Sequence, residues 1–317
     1  MATQPELAQP QGARETYAAT ALSYAARPFL WYWTFTKRKP LGGIGLVLIV
    51  ILALVALTGP WLVHEVMGRD ELKIHSKAIF HKPDWSFGEG KFFLGADHLG
   101  RDVLGRLIIG ARTSLLIAVI SISLGNTLGW LLGLVSGFKG GWVDMLIQRL
   151  VDMKMAIPGL ILALAIVAVL GRDPRFIILA IALNTWTGDA RITRSVVLSI
   201  KNMEYVQAAR ALGASEMRIM LRHVAPQTFA PFMILYTAGI GGAILIESSL
   251  SFLGLGTAPP KPSWGSMLSG PTLANVERAP WNAVWPGLAL SITVYSFNLL
   301  GDALRDVLDP RLRGFGR

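Results

Sequence analysis

Uncharged apolar runs, each long enough to cross a bilayer, constrain this chain more than any other feature. No Asp, Glu, Lys or Arg occurs from Leu41 to Val63, from Thr113 to Phe138, or from His223 to Ile246. A helix needs roughly 20 apolar residues to span the hydrocarbon core. In that core each backbone N–H and C=O must find its partner within the segment, which selects helices. Soluble helices of this length keep a polar face, and these runs have none. Charged residues make up 16% of the 317 positions, where a soluble domain carries about a quarter. The mean hydropathy is +0.48. The chain reads as an all-α membrane protein.

Six transmembrane helices are expected. Span one covers about Leu41 to Val63, span two Thr113 to Phe138, and span three Met155 to Gly171. Span four begins near Phe176 and meets Asp189, Arg191 and Arg194, so it should leave the bilayer while still helical. Span five runs from Pro226 to Leu250 and span six from Val284 to Gly301. Basic residues in short flanks mark the cytoplasmic face. Lys37, Arg38 and Lys39 precede span one; Arg191, Arg194, Lys201, Arg210, Arg218 and Arg222 lie between spans four and five; Arg305, Arg311, Arg313 and Arg317 follow span six. In a six-span count these flanks share one side, which places both termini and the loop between spans four and five in the cytoplasm. Arg172 and Arg175 fall on the opposite side.

Residues 1–36 read as a cytoplasmic N-terminal tail and 37–317 as one transmembrane domain. The tail is not a signal peptide, because Lys37-Arg38-Lys39 directly precedes a span with no small-residue cleavage pattern after it. Its aromatic group, Phe29 to Trp33, is expected at headgroup level. Two external segments, His64–Arg106 and Gly256–Trp281, are rich in Gly, Pro and Trp and should fold over the outer mouth. The net charge of +10 gathers at span ends, so nucleic acid is not the expected partner; membrane lipid is. Cysteine is absent, which removes disulfides and thiol chemistry without locating the compartment.

No catalytic set is visible, and neither a phosphate-binding GxxxxGK[ST] loop nor an HExxH or GxSxG pattern occurs. The chain is expected to be neither an enzyme nor a cofactor protein, and its scattered histidines do not read as a metal site. Asp302 and Asp306 are expected to pair with Arg305 along their helix; Asp309 sits in the same acidic and basic cluster. Gly125, Gly129, Gly133 and Gly137 fall every four residues on span two. Such a ladder lets a neighbouring backbone approach closely, from within this chain or from a partner. The carboxylate that matters within the membrane is Glu247. It lies roughly 30 Å of helix beyond Pro226 at 1.5 Å per residue, near the outer end of span five. It either lines a path through the membrane or caps or pairs near the interface, for example with an external arginine.

The segment from Asn202 to Pro226 is polar and cationic, and longer than a return loop requires. Asn202 suits an N-cap, Gly213 a left-handed stop between two short helices, Ser215 a second cap, and Pro226 the first turn of span five. Val206, Ala209, Ala211 and Leu212 offer a small apolar surface. This is the form of a docking element, the alternative being an amphipathic helix on the headgroups.

The same segment resembles the EAA loop of ABC-importer permeases through Gln207-Ala208-Ala209, Gly213 and His223-Val224-Ala225-Pro226. Gln207 stands where the family's triplet has Glu, and His223 and Ala225 where it has Ile and Leu. The resemblance implies coupling to a cytosolic ATPase through Glu204, Tyr205, Gln207, Ala208, Ala209, Arg210, Leu212, Gly213, Ala214, Ser215 and Pro226. Three further segments are similar to oligopeptide/dipeptide-type permeases: Phe93–Arg106 with Gly110–Leu115, Ser251–Gly265, and Phe297–Arg311. The tail and the insert Ile74–Glu89 match nothing of use. The resemblance implies half of a channel in the bacterial plasma (inner) membrane. It would pair with a second homologous permease subunit, two ATP-binding subunits and an extracytoplasmic solute-binding protein. Family substrates include peptides, nickel complexes and some oligosaccharides. A secondary transporter would need broken helices or an internal repeat, and a membrane enzyme a clustered catalytic set; the sequence offers neither.

Overall fold

The computed structural model describes Thr36 and residues 39–86 and 91–308. The expectations for the tail before Thr36, for Lys37 and Arg38, for the end of the insert, and for Asp309, Arg311, Arg313 and Arg317 fall outside those residues. The described chain is helical: α1 (Pro40–Trp61), α2 (Val103–Lys139), α3 (Gly141–Met155), α4 (Gly159–Leu170), α5 (Pro174–Ile200), α6 (Glu204–Ala211), α7 (Glu216–Ile219), α8 (Ala225–Phe252), α9 (Trp264–Met267), α10 (Pro271–Ala274) and α11 (Trp281–Leu308). A π turn, Leu62–Val66, extends α1, and another, Met220–Val224, joins α7 to α8. Outward apolar side chains, such as Leu57 at 75% exposure and Val169 at 82%, suit contact with hydrocarbon.

Among the described residues, four helices are long and apolar enough to cross a membrane: Pro40–Val66, Val103–Lys139, Glu216–Phe252 and Trp281–Leu308. A fifth crossing arises if α3 and α4, bent by 82°, count together. Three expectations need correction. Span two begins earlier, because Asp102 accepts a hydrogen bond from the Gly105 N–H and caps the helix at Val103. Span three is broken at Ala156–Pro158, and α3 packs against α5 instead of continuing α4. Pro226 does not open a new helix. α7, the π turn and α8 form one continuous helix, Glu216–Phe252. In a regular helix the proline ring strikes the carbonyl four residues back; here that residue, Arg222, lies inside the π turn.

The glycine ladder resolves onto this chain's own α5. A Cβ on Gly129 would lie 2.3 Å from the Trp186 carbonyl oxygen, and one on Gly133 2.4 Å from that of Ala190. Gly125 faces Ala182 and Gly137 faces Val197. Asn126, on the same seam, hydrogen-bonds Asp189. The polar second half of α5 is met by α3. Arg194 forms a two-pronged pair with Asp144, both contacts at 2.6 Å, and Arg191 reaches Asp152 at 2.6 Å. Lys154 donates to the Asn184 backbone carbonyl and to its side-chain oxygen. The two arginines that interrupt span four are therefore neutralised by a helix that the sequence did not announce.

At the opposite end of the bundle, residues 62–86 and 91–106 fold around carboxylates. Asp97 accepts from the N–H groups of Leu99 and Arg101 and pairs with the Arg101 guanidinium at 2.7 Å. Asp102 pairs with Arg69 at 2.8 Å. The segment after α8 turns inward: Trp264 is 1% exposed, and its indole N–H donates to the Leu107 carbonyl. Asp306 reaches Lys39 at the start of α1, in place of the Arg305 pairing expected from spacing.

Candidate functional site

The hairpin between α5 and α8 is held by an apolar underside. Val206, Ile219 and Val224 are fully buried against Leu134, Val197 and Ile200, at the ends of α2 and α5. Lys201 donates to the Gly137 carbonyl at 2.8 Å and ties the root of the hairpin to α2. Burying a Val or Ile side chain contributes roughly 1.5–3 kcal/mol, so this patch fixes the hairpin rigidly to the bundle.

Gly213 closes α6. Its φ is +79°, a region open to glycine and strained for other residues. The Gly213 N–H bonds to the Arg210 carbonyl and the Ala214 N–H to that of Ala209. That is the Schellman pattern, with the Ala209–Ala214 pair packed on the buried cluster. Across the turn, Arg210 grips Glu216 at 3.0 and 3.3 Å. The pair is half-exposed and contributes about 0–1 kcal/mol, so it orients the two helices more than it stabilises them.

The expected docking residues divide by face. Glu204, Tyr205, Gln207, Ala208, Arg210, Leu212, Gly213 and Ser215 are exposed, whereas Ala209 and Ala214 turn toward the bundle. Leu212, at the tip, is 89% exposed. The apolar surface expected from Val206, Ala209, Ala211 and Leu212 is thus split, with Val206 inside and Leu212 outside. Met203, not Asn202, holds the N-cap position; the Gln207 amide donates to the Asn202 carbonyl at 2.9 Å. Ser215 occupies its N-cap position without a side-chain bond. Pro226 is exposed but sits on the long helix, away from the tip. Partial burial raises the Tyr205 phenol above its ordinary value, so it is protonated at neutral pH.

Beside the hairpin lies an open groove of about 640 Å³, walled by Phe138, Trp142, Glu216, Met217 and Met220. Trp142 and Met217 are 71% and 60% exposed. The sequence signal was an aromatic directly after the Gly140-Gly141 pair, both residues at positive φ.

Glu247 is fully buried, and serines surround it. The Ser251 hydroxyl donates to Oε1 at 2.8 Å and that of Ser114 to Oε2 at 3.4 Å. Ser263 is a third partner. Ser114 also accepts the Trp264 backbone N–H at 3.1 Å, so one carboxyl joins α2, α8 and the inward-turned segment before α9. Its hydrogen-bond partners are serines and not the arginine offered as an example, and it is buried within the chain.

A family model described as binding-protein-dependent transport system inner membrane component matches residues 125–314. A glutathione transport system permease protein of Escherichia coli O6:K15:H31 is 38% identical over 288 residues, covering 90% of this chain and 92% of that protein. A di/tripeptide transport system permease protein of Pseudomonas aeruginosa is 40% identical over 288 residues, covering 90% and 93%. A glutathione transport system permease protein of Pectobacterium atrosepticum is 40% identical over 221 residues, covering 70% and 73%.

Proposed function

Because this chain belongs to the binding-protein-dependent transport system inner membrane components, the permeases of ABC importers, we propose that it forms half of a peptide channel driven through the 202–226 hairpin. It works in the bacterial inner membrane and is a transport subunit, with ATP hydrolysis carried out by separate partners. In this reading 37–317 is the permease domain with six crossings, α5 being the crossing whose arginines α3 covers. Both termini and the hairpin face the cytoplasm, since the basic flanks gather there, and residues 1–36 form a cytoplasmic tail. The assembly comprises a second related permease, two ATP-binding subunits and an extracytoplasmic binding protein. Peptides are the substrate class because the relatives are named for glutathione and for di/tripeptide transport.

The observation that carries the coupling role is the continuous helix from Glu216 to Phe252. Its first turn belongs to the docking hairpin and its last two turns hold Glu247 and Ser251. An ATPase that moves the Leu212 tip therefore tilts one rigid rod, roughly 55 Å long at 1.5 Å per residue, whose far end is locked to α2 and the outer segment. A ligand shifts such an equilibrium only through contacts that differ between the two states; the exposed Glu204, Gln207, Ala208, Arg210 and Leu212 supply that surface. The groove walled by Trp142 and Met217 widens it. Glu247 acts in this reading as a structural hub of that lock and not as a path residue.

Gly213→Trp tests the assignment. Nothing lies within 4 Å of the Cβ position, so the substitution strains only the turn, by about 1–2 kcal/mol, and adds bulk at the docking face. Insertion should persist, while uptake falls and the ATPases copurify less. Normal uptake with normal assembly would remove docking at this position.

A further inference from the structure

The two outer segments that resemble peptide permeases, 93–106 and 251–265, meet across one cavity of about 230 Å³. Arg101, Arg106, Arg172 and Lys261 line it, with Asp97 as the facing carboxylate. Asp97 is already engaged by two backbone N–H groups and by Arg101 at 2.7 Å, and Arg106 Nε stands 3.6 Å from it. Glu71 also lies in the field of Arg106 but does not line the cavity, so cations outnumber carboxylates there. Arg106 is only 7% exposed, yet its Nη1 has no hydrogen-bond partner. Asn282, on the same wall and 4% exposed, leaves its Oδ1 without a donor. Pro260 and Met267 complete the wall with apolar surface.

A buried donor and a buried acceptor without partners are each costly, and here both belong to residues that line one positive, partly apolar recess. Ligand sites commonly combine an apolar wall with a few placed polar groups. The complement is a small group that offers an anionic acceptor and an N–H together. We infer that this cavity holds the C-terminal end of a peptide, its carboxylate on Arg106 and its last amide N–H toward Asn282; this rests on the peptide-import reading above. Arg172 and Lys261 form the charged rim that draws the carboxylate in. The recess has room for one terminal residue and thus reads the end common to all peptides. That suits a subunit through which different peptides pass.

The experiment uses the assembled transporter in lipid nanodiscs without its binding protein. Binding of the dipeptide Gly-Phe is measured by calorimetry beside its C-terminal amide and beside inorganic phosphate. The amide should bind at least about tenfold more weakly, as loss of a charge-assisted pair requires. Arg106→Gln should weaken Gly-Phe by a similar factor. Lys261→Gln, at an exposed position where folding is not at stake, should weaken it by about two- to fivefold. Equal binding of acid and amide would overturn the inference, as would phosphate competing as well as the dipeptide, or unchanged affinity in Lys261→Gln and Arg106→Gln. Uptake separates this from the parent reading. Peptide uptake without acid-selective binding removes the cavity assignment alone. Acid-selective binding in a transporter that takes up no peptide keeps the cavity and removes the import reading.

Discussion

Replacing single glycines of the α2 ladder by alanine should destabilise the bundle in a graded order. A Cβ on Gly129 would sit 2.3 Å from the Trp186 carbonyl oxygen and 2.7 Å from the Asp189 Cβ; on Gly133 it would sit 2.4 Å from the Ala190 carbonyl oxygen. Ordinary carbon–oxygen contact begins near 3.4 Å, so α2 and α5 must part by about 1 Å. The obstructing atoms are backbone atoms and Cβ carbons, which cannot rotate aside. Overpacking of this kind costs about 1–3 kcal/mol, and the separation also loosens the Asn126–Asp189 and Lys201–Gly137 bonds. Gly125 and Gly137 meet their nearest backbone oxygens at 2.8 and 3.0 Å, so alanine there should cost less. Gly188 on α5 and Gly242 on α8 have nothing within 4 Å. Alanine at these two should be neutral or stabilising by up to about 1 kcal/mol, from helix propensity. The assay is thermal unfolding of the purified variants in one detergent, followed by loss of the monodisperse chromatographic peak. Gly129→Ala and Gly133→Ala melting together with Gly188→Ala would refute the close-approach reasoning.

Three further outcomes are expected. The chain has no native cysteine, so Ser215→Cys and Glu277→Cys, both at exposed positions, should label from opposite sides of the membrane; labelling of both from outside would end the six-crossing reading. Glu247→Leu removes the acceptor of the buried Ser251 hydroxyl and weakens the Ser114 contact, at about 1–3 kcal/mol for a group left unpaired. Assembly and melting temperature should fall while uptake per assembled complex holds, and an altered substrate preference at unchanged stability would restore Glu247 to the path. Burial lowers the pKa of His98. The unfolded chain therefore takes up its proton first, and stability should fall as pH drops through about 6.5, the unperturbed histidine value. His98→Gln should blunt that acid sensitivity, measured as melting temperature against pH.

Class, helicity and the helical form of the segment between α5 and α8 were legible because each rests on local chemistry. An uncharged run such as Leu41–Val63 must satisfy its own backbone in lipid, whatever surrounds it. Gly213 marks a left-handed stop because only its own φ decides that. The ladder on α2 announced a close approach but not its partner, since four glycines present the same smooth face to any helix. Tertiary structure named α5. It also decided that Pro226 interrupts nothing, because a π turn absorbs Arg222, the residue whose carbonyl the ring would otherwise strike. Spacing along one helix offered Arg305 to Asp306, and the fold gave it Lys39 instead. Asp144 found Arg194 on another helix, and Glu247 drew serines from three segments. A charge in a membrane bundle pairs with whatever the packing places beside it. Sequence shows that the charge must be satisfied, and only the packed helices determine by what.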